Sequence, residues 1–192
     1  MVTIREEKFA DTDAREALLD EAYGVGRFAK ASERLREGRL AAAGLSLIAT
    51  DHGRLVGTVR LWNVNAGPAC AALLLGPLAV HPGHRNRGIG TRLMQRAVAR
   101  ARLAGHGAII LVGDAAYYAR FGFADAKTGG LWMPGAFERH RLLAHELKPG
   151  ALDGARGLIG AAGRLAPATD LAALVAEDRR AESARVRRVR AA

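Results

Sequence analysis

The segment from Ala69 to Val112 constrains the fold more than any other part of the chain. Ala69 to Val80 is a nearly all-apolar run, followed by the basic, glycine-containing stretch His81-Pro82-Gly83-His84-Arg85-Asn86-Arg87-Gly88. From Ile89 to about Ala104, Ile89, Leu93, Ala97 and Ala101 recur every fourth residue, with Met94 and Val98 beside them. The apolar run reads as a strand covered on both faces, and the recurrence as a helix with a core-facing stripe. Gly105 and Gly107 stop that helix, and Ala108-Ile109-Ile110-Leu111-Val112 is a second, compact buried strand. Strand, long helix and strand in succession form a crossover unit, so part of the sheet is expected to be parallel.

The flanking sequence makes the sheet mixed. Leu45 to Thr50 and Leu55 to Trp62 are strand-like runs on either side of Asp51-His52-Gly53-Arg54, the pattern of a hairpin. Gly76-Pro77 lies inside the long apolar run, where proline cannot donate to a ladder, so a bulge is expected that bends the strand away from its neighbour. Upstream, Val2 to Ile4 reads as a short strand. Asp11 or Thr12 can cap a helix carrying Ala14, Leu18, Leu19 and Ala22 on one side and ended by Gly24 and Gly26. A charge-rich stretch from Phe28 to Arg36 reads as a second, surface helix. Downstream, a short helix is expected around Ala115 to Phe121 and a last strand from Arg141 to Leu147. The fold class is α/β, a mixed, centrally bulged sheet flanked by helices, in a domain of residues 1–148. Residues 149–192 read as an Ala/Gly/Arg-rich appendage, partly helical from about Asp170 and ending in the basic run Arg179 to Arg190.

A chain of 192 residues fits one such domain and can bury a sizeable core. The single cysteine, Cys70, excludes an intrachain disulfide and a cysteine-based metal cluster, and its apolar surroundings suit an inert thiol. No apolar run approaches the roughly 20 residues that span a bilayer, and the charged N-terminus lacks the apolar core of a signal peptide. A cytoplasmic protein with no membrane partner is the expectation. The net charge of +10, from 29 Lys+Arg against 19 Asp+Glu, favours polyanionic partners, among them phosphate-bearing cofactors and nucleic acid.

Where the apolar strand ends and the periodic helix begins, the loop supplies what a phosphate needs. Amides at a helix N-terminus have no internal partner and lie at the positive end of the dipole. Glycines let an anion reach the backbone, and Arg85 and Arg87 add charge, so the segment suits a phosphate or pyrophosphate cradle. It is not a Walker loop, because no Gly-Lys-Ser/Thr follows, and it departs from the G-x-G-x-x-G dinucleotide fingerprint.

Arg85, Gly88 and Gly90 fit the Q/R-x-x-G-x-G/A pattern that follows a bulged strand in the GNAT superfamily of N-acetyltransferases, and the segment resembles that family's acetyl-CoA-binding motif. A second block, Gly113-Asp114-Ala115-Ala116-Tyr117-Tyr118-Ala119-Arg120-Phe121-Gly122-Phe123, resembles the family's later motif, a tyrosine four residues before Gly-Phe, and its wording is similar to N-acetyltransferases of the YhbS type. The resemblance spans roughly residues 2 to 148 and implies a GNAT-like acyl-CoA N-acyltransferase fold with acetyl-CoA as acyl donor. It implies that Leu78, Ala79 and Val80 offer backbone groups to the pantetheine arm. The amides of Arg85, Asn86, Arg87, Gly88, Ile89 and Gly90, with the Thr91 hydroxyl, would hold the pyrophosphate. Asp114 stands where many relatives have asparagine. The Val80 amide would stabilise an oxyanion, and Tyr118 would protonate the departing thiolate after direct attack by the amine. A phenol, with a reference pKa of about 10, is protonated at neutral pH as a general acid must be. Tyr117 serves as an internal contrast.

The same reading leaves several groups open. No acidic residue lies between Ala69 and Val80, so His81, His84, His52 and a water chain stand as candidates for the general base. Arg92, Arg96 and Arg100 form a stripe that is either a solvated helix face or an attractor of phosphates. The acceptor is an amine, on a small molecule or a protein, selected by the segments Phe28 to Arg36 and Lys127 to Arg141. Rival readings are a relative that binds CoA without transfer and a nucleic-acid-associated regulator anchored by the basic tail. The tail's Glu177, Asp178 and Glu182 and its lack of aromatics disfavour nucleic acid. A homodimer is the commonest closed assembly for such a domain.

Overall fold

The computed structural model describes residues 1–167; the basic run Arg179 to Arg190 and the helix expected from Asp170 lie outside them. Eight strands form one mixed sheet in the order β1-β2-β3-β4-β5-β7, with β8 following β2 along the same edge of β3 and β6 against β8. The strands are β1 (Val2–Glu6), β2 (Ser46–Asp51), β3 (Arg54–Ala66), β4 (Cys70–Val80), β5 (Ala108–Val112), β6 (Leu131–Trp132), β7 (Leu142–Glu146) and β8 (Gly157–Ala161). The helices are α1 (Thr12–Tyr23), α2 (Ile89–Leu103) and α3 (Ala115–Tyr118). No described helix is long and apolar enough to cross a membrane.

The hairpin turn is His52-Gly53, with φ of 48° and 80°, the doubly left-handed geometry that matches strand twist. The crossover is as expected: β4 and β5 are parallel, with Leu73 opposite Ile109 and Leu74 opposite Ile110. The bulge also falls where proline demands it. Val59 faces Leu78 but Leu61 faces Leu75, so Gly76-Pro77 is the excess on β4. Beyond it, β4 stays paired with β3 and separates from β5.

The stripe of α2 is buried as its spacing predicts: Ile89, Leu93, Met94, Ala97 and Ala101 are each 2% exposed or less. Each large member contributes about 1.5–3 kcal/mol by leaving water. They pack on Leu47, Ala49, Val59, Leu61 and Leu73. Gly57 lets the helix come this close, since a Cβ there would lie 3.0 Å from Leu93 Cδ1 and 3.1 Å from Ile89 Cγ2. The close approach fixes the first turn of α2 against the end of β4. Arg92 and Arg100 are not a free phosphate-attracting stripe: Arg92 donates to the Val2 carbonyl at 3.2 Å, and Arg100 to the Gly44 carbonyl at 2.9 Å, tying α2 to β1 and to the approach to β2.

Four expectations are corrected. Asp11 takes the N-cap position of α1 but makes no side-chain cap, because its carboxylate accepts from Arg5 at 2.7 and 2.8 Å and from the Lys8 amide at 2.7 Å. Ala14 faces solvent, and Arg15 takes the inward place beside Leu18 and Leu19. Phe28 to Arg36 is not an α-helix but two 3₁₀ turns, Val25–Ala29 and Glu33–Leu35. Its Ala31, Leu35 and Arg36 are buried, so tertiary packing overrides local helix preference. The appendage expected from residue 149 begins within the sheet: β8 pairs with Val64, Asn65 and Ala66 of β3. Strand β2 stops opposite Arg60, and β8 covers the edge of β3 that β2 leaves bare.

Candidate active site

The separation of β4 from β5 opens a cleft of about 350 Å³, within the size range of small-molecule sites. Gly76, Pro77 and Leu78 form one wall, Val112, Gly113 and Asp114 the other. The His81 amide donates to the Val56 carbonyl. By strand alternation, Ala79 also turns its backbone toward β3, while Leu78 and Val80 turn theirs toward the open edge. The Ala79 side chain packs on Leu18 and Leu19 of α1. Of the three backbone positions expected on the open edge, the geometry therefore supplies Leu78 and Val80 and turns Ala79 away. The Leu78 carbonyl accepts a hydrogen bond from Tyr23 Oη. Trp62 pins the bulge itself, its Nε1–H donating to the Gly76 carbonyl at 2.7 Å from a side chain 7% exposed.

At the Val80 end the cleft meets a second concavity of about 360 Å³, lined by Val80, His84, Arg85, Asn86, Gly88, Ile89, Gly90, Thr91, Tyr117 and Arg120. Asn86 and Gly88 adopt left-handed φ of 60° and 70°, with Gly88 at the N-cap of α2. Left-handed residues of this kind are what backbone nests use to bind anions. A Cβ on Gly90 would lie 3.1 Å from Tyr117 Oη, so that position admits only glycine without displacement. The sequence-predicted cradle residues come together here apart from Arg87, which reaches back to Asp51 at 3.5 Å.

Asp114 caps α3, accepting from the Tyr117 amide at 2.7 Å. The helix sets the two tyrosines edge to face, centroids 5.0 Å apart. Tyr117 lines both the cleft and the cradle, with the Arg120 guanidinium 5.0 Å from its ring centre. Tyr118 lines the cleft alone and packs on Phe123 at 6.0 Å between centroids. Gly113 makes room for it, since a Cβ there would collide with the edge of its ring. Burial, reinforced by the neighbouring Tyr23 and Tyr117 hydroxyls, raises the Tyr118 phenol above its ordinary pKa.

The far end of the cleft is made by Tyr23 and Arg27, which the sequence did not single out, and by residues of the two segments expected to select the acceptor, none of them named individually. Tyr23, Arg27, Lys30, Ser32, Glu33 and Arg36 come from the end of α1 and the 3₁₀ turns, and Arg141 from the turn before β7. The two segments expected to select the acceptor meet there, the Arg34 guanidinium donating to the Pro134 carbonyl at 3.0 Å. Tyr23 could have been noticed as an aromatic immediately before the helix-ending Gly24; Arg141 fell within an expected selecting segment without being distinguished from its neighbours. None of the histidine candidates lines this cleft. His52 is at the hairpin tip, His81 Nδ1 accepts from the Gly83 amide at 3.1 Å, and His84 Nε2 is 3.5 Å from Asp51. Cys70 lies at the opposite end of β4, its thiol 3.6 Å from the Asp153 carbonyl. Trp132 is 56% exposed and stacks against Arg139 and Phe137, outside the cleft.

The chain is similar to known proteins in both sequence and fold. A model of the acetyltransferase (GNAT) domain matches residues 42–125. The chain is 30% identical over 158 residues to the uncharacterized N-acetyltransferase YhbS of Escherichia coli, covering 81% of this chain and 93% of that one. The crystal structure of that protein in complex with CoA superposes with a TM-score of 0.71 over 84% of this chain and 89% of its own. A GNAT family acetyltransferase from Brucella melitensis in complex with acetyl-CoA, 25% identical, gives 0.63 over 84% and 96%. Sequence, fold and cleft agree that this chain belongs to the GNAT family of N-acetyltransferases.

Proposed function

We propose that the chain transfers the acetyl group of acetyl-CoA directly to an amine, both substrates being held in the cleft at once. The observation that carries this reading is the continuity of the cleft, with the open β4 edge leading from the cradle past Tyr118 to a separate wall of side chains. Bound acetyl-CoA supplies an activated thioester. The residues fit its diphosphate: inward amides, Arg85 and Arg120 as cations, the Thr91 hydroxyl, and a cradle that a Cβ on Gly90 would obstruct. The Leu78 and Val80 backbone groups provide ladder partners for the amide-bearing pantetheine arm. The Val80 amide donates to the thioester oxygen as that oxygen gains charge.

Tyr118 holds the proton for the leaving sulfur. Its raised pKa keeps the phenol protonated at neutral pH, and packing against Phe123 fixes the ring. Of the carboxylates lining the cleft, Asp114 is committed to its cap and Glu33 is paired with Arg36 at 2.8 Å. Proton loss from the amine is therefore assigned to solvent in the cleft.

Calorimetric titration with acetyl-CoA tests the reading, beside a Gly88→Glu variant that introduces a carboxylate into the cradle. Saturable binding by the wild type, lost in the variant, is the expected result. A folded wild type that does not bind acetyl-CoA refutes the proposal.

A further inference from the structure

The far end of the cleft opens into a recess of about 220 Å³, lined by Val112, Met133, Ala136 and Phe137 together with Lys30, Ala31, Ser32, Glu138 and Arg141. Lys30, Ser32, Val112 and Arg141 line both spaces. Two cations therefore stand at the doorway between the cleft and a small chamber with one apolar wall of Val112, Met133, Ala136 and Phe137.

Their neighbours leave this doorway short of negative charge. Arg27 is neutralised by Glu16 and Asp20 at 2.5 and 2.9 Å, and Arg36 by Glu33. Arg141 has Glu138 at 3.2 Å, a carboxylate whose side chain is 60% exposed and which also meets His140 at 3.5 Å. Lys30 has no carboxylate partner among the described residues; its ammonium rests 4.5 Å from the centre of the Tyr23 ring. Partial burial, then repulsion from Arg36 and Arg141, lowers its pKa, as happens to a cation lacking an anion.

We infer that the acceptor is a small amine carrying a carboxylate, received between Lys30 and Arg141, with a compact apolar group in the Met133–Phe137 recess. The inference rests on the acetyl-transfer reading and names the substrate class of that site. A carboxylate binds both cations through charge-assisted hydrogen bonds, and the recess accommodates a hydrocarbon or aryl side chain rather than a folded partner. Polycationic amines meet two like charges and are rejected. In the transfer, the amine nitrogen bonds the acetyl carbon while the thioester carbon–sulfur bond breaks. The nitrogen gives up one proton to solvent, the sulfur takes one from Tyr118, and solvent reprotonates the phenol. The products are an N-acetylated acid and a free thiol.

Matched pairs of acceptors test this: phenylalanine against phenethylamine, and leucine against 3-methylbutylamine, with putrescine as a cationic comparison. The expected result is a kcat/KM at least about tenfold higher for the carboxylate member of each pair. That ratio should fall toward one in Lys30→Met and in Arg141→Gln. Product inhibition of the unaltered protein gives a reading independent of variant folding, N-acetylphenylalanine inhibiting more strongly than N-acetylphenethylamine. Preference for the decarboxylated amines or putrescine, a ratio indifferent to both variants, or acetylation of neither set while acetyl-CoA still binds, overturns the inference and leaves the donor site intact. Failure to bind acetyl-CoA overturns the transfer reading as well.

Discussion

The cradle end of the cleft and the far end, proposed to receive the acceptor, are held in shape by different means. At the cradle, Asn86, Gly88 and Gly90 set the form through backbone geometry, and α2 is clamped in place by its buried stripe over Gly57. At the acceptor end, the wall is side chains on 3₁₀ turns, held by ion pairs: Arg15 with Glu7 and Glu16, Arg60 with Glu7, Arg27 with Glu16 and Asp20, Arg36 with Glu33. A backbone site can recognise a diphosphate common to a whole family, whereas a side-chain wall can change its ligand by changing a few residues. The two ends should therefore fail in different ways when perturbed.

The largest effect is expected at their junction. Tyr118→Phe removes the phenol proposed as the acid for the leaving sulfur and should lower kcat by about 100-fold while the Kd for acetyl-CoA moves little. Tyr117→Phe, whose hydroxyl lies over Gly90, should register in acetyl-CoA affinity instead. Steady-state kinetics and calorimetry on both variants separate the roles, and a kcat loss in Tyr117→Phe that matched Tyr118→Phe would erase the distinction. Because burial raises the Tyr118 phenol above its usual pKa of about 10, the acid form persists to higher pH than a free phenol. Any alkaline decline of the wild-type rate caused by Tyr118 must then begin above pH ~10.

Next comes the cradle. Gly90→Val forces a branched side chain toward Tyr117 Oη and Val80 Cγ2, which a Cβ alone would approach to 3.1 and 3.7 Å. Acetyl-CoA affinity should fall about 30-fold, or ~2 kcal/mol, with no change in the ratio between acceptors. An altered acceptor ratio would show that the ends are coupled rather than separately built.

These two regions also differed in how far they could be read from sequence. The β4–α2–β5 crossover and the bulge were legible because glycine, proline and helical spacing are local signals with local causes, whereas Tyr118 was singled out only through the family resemblance. Pro77 within an apolar run could only mean a bulge or an edge, and the bulge is there. The acceptor wall was not legible in its details. Phe28 to Arg36 has the composition of a helix, but Leu35 packs with the strand residues Trp62, Val64 and Leu74 while Arg36 is tied to Ser32 and Glu33, and the segment forms turns instead. Gly157-Leu158-Ile159-Gly160-Ala161 lacks the alternation of a half-buried strand, and it is a strand because β3 offers it a free edge. Lys30 and Arg141 are 111 positions apart in sequence, and only tertiary structure brings them to one doorway.

A smaller effect should come from the hinge between the regions. Trp62→Phe deletes the donor to the Gly76 carbonyl while keeping most of the ring volume, and should cost about 1.5 kcal/mol of stability, measured by urea unfolding. If the bulge depends on that bond, both acetyl-CoA affinity and acceptor kcat/KM should decline together, since the bulge shapes the cleft at its centre. A stability loss with neither functional change would show that Pro77 alone holds the bulge.

The smallest effect concerns the acceptor side alone and distinguishes it by pH. Asp11, bonded first by Arg5 and then by the Lys8 amide, has its pKa lowered to about 2, and it joins β1 to the start of the helix that ends in Tyr23. Its folded-state pKa lies below the unfolded value of about 3.9. The stabilisation is therefore complete above that value and is lost as pH falls through it toward 2. The pair is at the surface, so Asp11→Asn should cost only about 0.5 kcal/mol at pH 7 and nothing near pH 2. Glu16 behaves in the same direction: burial opposes its ionisation, but the bonds from Arg15 and Arg27 outweigh it and lower its pKa. Acidification from pH 5 toward pH 3 should accordingly loosen α1 and the turns after it before it disturbs α2, whose hold is apolar. Amide hydrogen exchange across that pH range, corrected for intrinsic rates, reads both helices in one experiment. Simultaneous loss of protection in α1 and α2 would show that the acceptor wall and the cradle unfold as one unit, despite being held by different forces.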